Sequence, residues 1–155
     1  IIWARKNPKS RHYFNFELMK QMNGGVLMPD VWKLPTVGMW EKTCGKHPTQ
    51  KPLRLLYRII LASTQIGETI LDPFAGSCTT GIAANLLDRK FIGIDQSEEY
   101  LNLGIRRKTE INNPIRAIEL QKLMSENPEE TMVLVNHARK ETREKMIEKW
   151  INLKR

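Results

Sequence analysis

Apolar positions along the chain change period several times, and each change marks an element. Leu53, Leu56, Tyr57 and Ile60 recur at i, i+3, i+4 and i+7, which predicts an amphipathic helix directly after Pro52. Thr69, Ile70 and Leu71 form instead a short unbroken run with β-branched residues, stopped by Asp72-Pro73, as suits a strand buried on both faces. Ile82, Ala83, Leu86 and Leu87 return to helical spacing, and Phe91, Ile92 and Ile94 make a second strand that ends at Asp95. Ser97, followed by Glu98 and Glu99, suits the start of a further helix, with its buried face expected at Tyr100, Leu101 and Ile105. Arg106, Arg107 and Lys108 then complement the negative end of that helix.

Toward the two ends the pattern is weaker. Ile1 to Lys6 reads as the end of a strand, followed by a polar loop over residues 7–12 and a short helix from Phe16 to Met22 that stops at Gly24-Gly25. Asp30 to Leu34 has the look of a short strand, and residues 37–46 are irregular, as suits a mobile loop over a binding site. Asn113-Pro114 is a cap and first-turn pair opening a helix to about Met124, which Glu126-Asn127-Pro128 breaks. Met132 to Val135 is expected as a small strand. Residues 138–153 are expected as a second amphipathic helix, with Met146, Ile147, Trp150 and Ile151 apolar and Glu141 four residues before Lys145.

With 155 residues, 41% hydrophobic and 27% charged, the chain supports one domain with a real core. It opens at Ile1, inside an apolar run and without methionine, as a fragment would. No apolar stretch approaches the roughly 20 residues of a membrane helix, and nothing resembles a cleavable signal. Cys44 and Cys78 stand far apart and make neither a disulfide framework nor a four-ligand metal site, so a cytoplasmic protein without a structural metal is expected. The net charge of +8 matters more once it is located. Residues 1–60 carry 11 Lys and Arg against 3 Asp and Glu, so the basic excess lies upstream of the two strands. Nucleic-acid phosphates are the natural partner for such a surface, a solvated lysine-rich face being the alternative. Lys9 and Arg11, beside Tyr13, Phe14 and Phe16, interleave phosphate-binding cations with aromatics that could stack on bases or seat the short helix on the core. Lys42 and Lys46 add two cations in the irregular stretch.

The chemistry concentrates between residues 68 and 95. In an open parallel sheet ligands bind beyond the carboxyl ends of the strands, so Asp72, the turn at Gly76 and Asp95 should line one crevice. Gly76 permits backbone conformations closed to other residues, and Ser77, Thr79 and Thr80 offer hydroxyls that can cap the next helix or hold a polar ligand. Gly76 to Gly81 imitates the dinucleotide fingerprint G-x-G-x-x-G, and Asp95 follows Gly76 by 19 residues, near the separation expected of a ribose-binding acid. Cys78, however, stands where the middle glycine would let backbone approach a pyrophosphate, and Asp72 would set negative charge against it. A P-loop fails because Ile82 and Ala83 follow Gly81 in place of Lys and Ser/Thr. A ligand with adenosine at one end, a cationic amino group at the other and no phosphate fits better; S-adenosylmethionine is one.

Asp72-Pro73-Phe74-Ala75-Gly76-Ser77, then Thr79-Thr80-Gly81, preceded by His47-Pro48-Thr49-Gln50-Lys51-Pro52-Leu53, resembles the amino-methylating DNA methyltransferases, which modify adenine N6 or cytosine N4. The order resembles one circular arrangement of that family, of the type II restriction-modification kind, in which cofactor motifs follow the catalytic and target-recognition parts. The likeness is strong from about Gly45 to Arg107 and looser from Ile1 to Thr43; Cys78 departs from it, the family more often having glycine there. The resemblance implies an α/β fold, a partial Rossmann-like S-adenosylmethionine-dependent methyltransferase sheet with a helical C-terminal extension. Residues 1–111 would be the C-terminal part of the methyltransferase domain and 112–155 an accessory helical tail. It further implies that Lys51, with Pro52, meets the methionine end of the cofactor, Lys51 pairing with its carboxylate. Asp72, Pro73, Phe74, Gly76, Ser77 and Thr79 would surround the methionine portion and adenine, Asp95 the ribose hydroxyls, and Lys9, Arg11, Lys42 and Lys46 would meet double-stranded DNA.

Methyl transfer to an exocyclic amine needs the sulfonium methyl held in line with the nitrogen and acceptors for the amine hydrogens. The resembled family supplies the acceptors from a tetrapeptide of Asp, Asn or Ser, then Pro-Pro, then an aromatic that stacks on a flipped-out base. No such tetrapeptide occurs here, and in the circular order its place is upstream of Ile1. The chain alone is therefore expected to bind cofactor and transfer little or nothing. The catalytic motif would come from an upstream segment or another subunit; a homodimer is the other expected assembly. Adenine N6 is expected ahead of cytosine N4. A non-catalytic subunit keeping the methyltransferase sheet, or a methyltransferase acting on RNA or protein, are the alternatives the sequence leaves open.

Overall fold

The structure, a computed structural model, describes residue 4 and residues 6–124. The elements run α1 (Phe16–Met22), a 3-10 turn (Met39–Glu41), α2 (Leu53–Ser63), β1 (Thr69–Asp72), α3 (Thr79–Leu86), β2 (Lys90–Gly93), α4 (Glu98–Ile111) and α5 (Pro114–Met124). The strand expected over residues 132–135 and the helix over 138–153 lie outside the described residues, as does most of the strand expected over residues 1–6. No helix of the described residues is long and apolar enough to cross a membrane.

β1 and β2 are parallel, with Ile70 beside Phe91 and Asp72 beside Gly93. A parallel pair requires a crossover, and α3 supplies it. Gly81 makes the close approach of that helix to the sheet: a Cβ there would fall 2.5 Å from the Phe91 ring. The sheet is therefore a strand–helix–strand unit with Asp72 and Asp95 brought to the same end.

The core is built from helices. Leu18, Met19 and Met22 of α1, Leu53, Tyr57, Ile60 and Leu61 of α2, and Ile82, Ala83, Ala84 and Leu86 of α3 are buried in one cluster. Ile111, Leu120 and Met124 join it from the end of α4 and from α5. Short side chains on α3, with Ala83 and Ala84 fully buried, let α2 pack closely against it. Side chains set the ends of these helices. Asn15 accepts from the Leu18 amide at the start of α1, and Ser97 accepts from the Tyr100 amide at the start of α4, where Glu98 and Glu99 face the positive end of the helix.

Four expectations are corrected. The strands are not buried on both faces: Ile70 and Phe91 pack against the core, but Leu71 is 61% and Ile92 54% exposed, because the side of the sheet away from the core is uncovered. Asp30 to Leu34 is not a strand. Pro29 and Pro35 remove amide donors on either side of it, and Trp32 turns its indole N–H back to the Pro29 carbonyl at 2.7 Å, beneath the Arg58 guanidinium. On α4 the buried residues are Leu103, Gly104, Arg107 and Ile111, while Ile105 is 63% exposed. Phe14 and Phe16 are also exposed, so α1 is seated by Leu18, Met19 and Met22 instead.

Leu61 is fully enclosed and Leu71 is not. Leu61→Ala is expected to cost about 2–5 kcal/mol in chemical denaturation, and Leu71→Ser to stay within about 0.5 kcal/mol of the parent. Equal losses would contradict the placement of the core.

Candidate functional site

The site is the turn between β1 and α3. The Ala75 amide donates to the Ile94 carbonyl at 2.9 Å, hooking the turn over the end of β2. The Gly76 amide then donates to Asp95 Oδ2 at 2.7 Å, while Asp95 Oδ1 accepts from the Ser97 amide at 2.9 Å. Those bonds, Ser97 first and Gly76 second, hold the Asp95 carboxyl below its ordinary range. Asp72 works inside the same turn, accepting from the Phe74 amide at 3.1 Å and from the Thr80 hydroxyl at 2.6 Å.

Two residues of the turn are left-handed, Gly76 with φ +49° and Cys78 with φ +55°. Glycine accepts this freely; cysteine does so at a cost of roughly 1–2 kcal/mol. The conformation at Cys78 also changes the expected capping. Cys78 is the N-cap of α3 and no side chain caps it. A left-handed N-cap lacks the extended backbone from which a hydroxyl reaches the first turn. Thr80 bonds Asp72 instead, and the Ser77 and Thr79 hydroxyls bond each other at 3.1 Å.

The segment before α2 closes the other side. His47 Nδ1 accepts from the Thr49 amide, and the ring meets Tyr100 edge-on with centroids 4.1 Å apart. A Cβ at Gly76 would fall 3.1 Å from His47 Nε2, so the absence of a side chain there admits the imidazole. Between this segment and the turn lies a cleft of about 130 Å³. Lys51, Asp72, Phe74, Gly76, Ser77 and Thr79 line it, together with His47, Thr49, Gln50, Leu56, Ala75 and Thr80. Pro52 is the N-cap residue of α2 and lies outside the lining, as do Pro73 and Asp95, the last joined to it through the Gly76 amide. Phe74 is 88% exposed. Two larger hollows are more apolar: about 490 Å³ between α3, β2 and α4, and about 770 Å³ between α1, α2 and residues 28–36. Neither collects the polar groups found at the turn.

Three residues at the site escaped the sequence reading. Gln50 donates through Nε2 to the Glu41 carbonyl at 3.1 Å, which fixes its amide and leaves Oε1 buried without a partner in the cleft wall. Gln50 stands inside the motif that drew attention to Lys51, so a signal existed. Glu41 is buried and caps α2 from twelve residues away, accepting from the Leu53 amide at 2.8 Å and from Gly38 at 3.3 Å; burial pushes its carboxyl up despite those bonds. No local pattern announces a cap at that distance. Arg107 is 5% exposed and donates to the Ser77 carbonyl, so it does more than complement the helix end. The basic residues proposed for nucleic acid stand apart from the cleft lining: Lys9, Arg11 and Lys46 are exposed, and Lys42 is half-buried at the end of the 3-10 turn.

Residues 1–106 match the DNA methylase family N6_N4_Mtase. The type II methyltransferase M2.MboI of Moraxella bovis is 59% identical over 123 residues, which are 79% of this chain and 45% of that protein. The type II methyltransferase M2.DpnII of Streptococcus pneumoniae is 56% identical over 114 residues, 73% of this chain and 42% of that protein. The chain thus spans less than half the length of these relatives. Among solved structures, M1.HpyAVI in complex with SAM is 37% identical with a TM-score of 0.50, covering 64% of this chain and 45% of that one.

The depressed carboxyl of Asp95 has a pH consequence. A group whose folded pKa lies below its unfolded value stabilises fully above the unfolded value, 3.8 for Asp95, and loses that contribution as pH falls through the folded one. Thermal unfolding of the parent should therefore fall more steeply below pH 4 than that of Asp95→Asn, which has no carboxyl to protonate. Parallel curves would mean that the two amide bonds to Asp95 contribute nothing in solution.

Proposed function

The chain belongs to the N6/N4 family of DNA methylases, and from that we propose that it forms the S-adenosylmethionine-binding part of a site-specific DNA amino-methyltransferase. One arrangement carries the reading: β1 ends in Asp72, β2 ends at Gly93 two residues before Asp95, and the turn that follows β1 is pinned to Asp95 through the Gly76 amide beside a polar cleft. The residues present fit the cofactor. Gln50 Oε1 is a buried acceptor without a partner, suited to the cationic amino group, and Lys51 is an exposed cation suited to the carboxylate. The cleft of about 130 Å³ is below the usual 300–1,000 Å³ of whole small-molecule pockets, so it suits the amino-acid end alone. Asp95 accepts two amide bonds and as a carboxylate retains lone pairs for ribose hydroxyls.

When bound, the cofactor supplies a methyl group on a sulfonium. The described residues orient it: the turn presents backbone, the segment 47–51 closes over the amino-acid end, and Asp95 fixes the far side of the turn. The acceptors that draw hydrogens from the target amine belong to the tetrapeptide this chain lacks, so the chain by itself binds and does not transfer. The target is an adenine N6 in preference to a cytosine N4, flipped from the duplex. Lys9, Arg11, Lys42 and Lys46 meet DNA phosphates. The boundary after residue 111 is one of role and not of packing, since Leu120 and Met124 share the core with α2 and α3.

Calorimetric titration with S-adenosylhomocysteine, beside NAD as a control, tests this. The first should bind and the second should not, and Lys51→Met should weaken the binding about tenfold. Equal affinity for both, or for NAD alone, would return the turn to the dinucleotide class.

A further inference from the structure

Arg107 and Gly104, three residues apart on α4, meet the turn from behind and stand outside the lining of the polar cleft. Arg107 Nη1 donates to the Ser77 carbonyl at 2.6 Å and to the Thr79 hydroxyl at 3.0 Å, both acceptors being nearly fully buried. A buried guanidinium is costly unless its donors are engaged, and these two bonds are directed at the segment that presents backbone to the cleft. A Cβ at Gly104 would overlap Cys78 Sγ, so the bare α-carbon of Gly104 is what admits that side chain against α4. The charged groups facing Arg107 are Glu41 before α2 and Glu110 on its own helix, with the thiols of Cys44 and Cys78 nearby.

We propose that Arg107 is the positioning residue of this turn. Its guanidinium sets Ser77 and Thr79 from behind, and the close fit of Cys78 against Gly104 sets the depth of the turn against α4. The left-handed Cys78 is thereby held in place by tertiary contacts and not by local preference. The consequence for affinity rests on the cofactor reading above; the conformational claim does not.

The test uses the whole 155-residue chain. Amide hydrogen exchange of the unliganded protein is followed at residues 76–80 and, as an internal control, across α2, with S-adenosylhomocysteine affinity measured on the same samples. Arg107→Met should speed exchange in the turn about tenfold while α2 stays protected, and should raise Kd about tenfold; Arg107→Lys, which retains charge and a donor, should fall between. Gly104→Ala should disturb the turn in the same way, and adding Cys78→Gly should restore it. Parent-like exchange at the turn in the arginine variants overturns the proposal, as does faster exchange with unaltered affinity. If Arg107→Met does not fold, Arg107→Lys decides by the same criteria. If the parent binds no S-adenosylhomocysteine, the cofactor reading fails, and the exchange data still decide what Arg107 does.

Discussion

The hydrogen bond from the Gly76 amide to the Asp95 carboxylate, at 2.7 Å, is the constraint on which the site depends. It ties the turn leaving β1 to the end of β2, so two residues 19 apart in sequence become one wall. Everything next to it follows from the same geometry. The Ala75 amide reaches the Ile94 carbonyl, Asp72 is free to gather Phe74 and Thr80, and the bare α-carbon of Gly76 admits the ring of His47. The carboxylate is thus a structural staple whose remaining lone pairs are the ones proposed above for ribose hydroxyls.

Around that wall the protein spends charge inward. Glu41 and Arg107 are both buried, one capping α2 and the other bonding the turn, and each faces the other's field. Glu41 also presents the carbonyl that fixes Gln50. The cleft is therefore supported from two directions, by α2 through Glu41 and Gln50 and by α4 through Arg107. Sites held by such a supporting layer keep their geometry without the ligand. The outer side of the sheet differs, Leu71, Ile92 and Ile94 being more than half exposed.

Much of this was legible in the sequence because the signals are local. Periodicity places α2 and α3, cap residues place the starts of α4 and α5, and the Asp-Pro stop places the end of β1, whereas β2 ends at Gly93, two residues short of Asp95; of the residues implied by the family resemblance, Lys51, Asp72, Phe74, Gly76, Ser77 and Thr79 line one cleft and Pro52, Pro73 and Asp95 do not. What failed is what depends on distant partners. Burial of Leu71 could not be judged without knowing what covers the sheet, and Asp30 to Leu34 looked like a strand until a pairing partner was required of it. Arg107 carries a charge, and a charge near a helix end reads as solvated; only the fold shows that Ser77 waits opposite it. Cys78 reads as an obstruction to phosphate, but neither its left-handed backbone nor its place against Gly104 of α4 is revealed by spacing.

The most direct test of the account is to map backbone amide chemical shifts of the chain on saturation with S-adenosylhomocysteine. The largest changes are expected at Gln50, Lys51, Gly76, Ser77 and Asp95, with the apolar hollow around Leu101 and Ile105 and that around Phe14 and Trp32 left largely unmoved. Changes centred on either hollow, with the Gly76 and Ser77 amides silent, would contradict it.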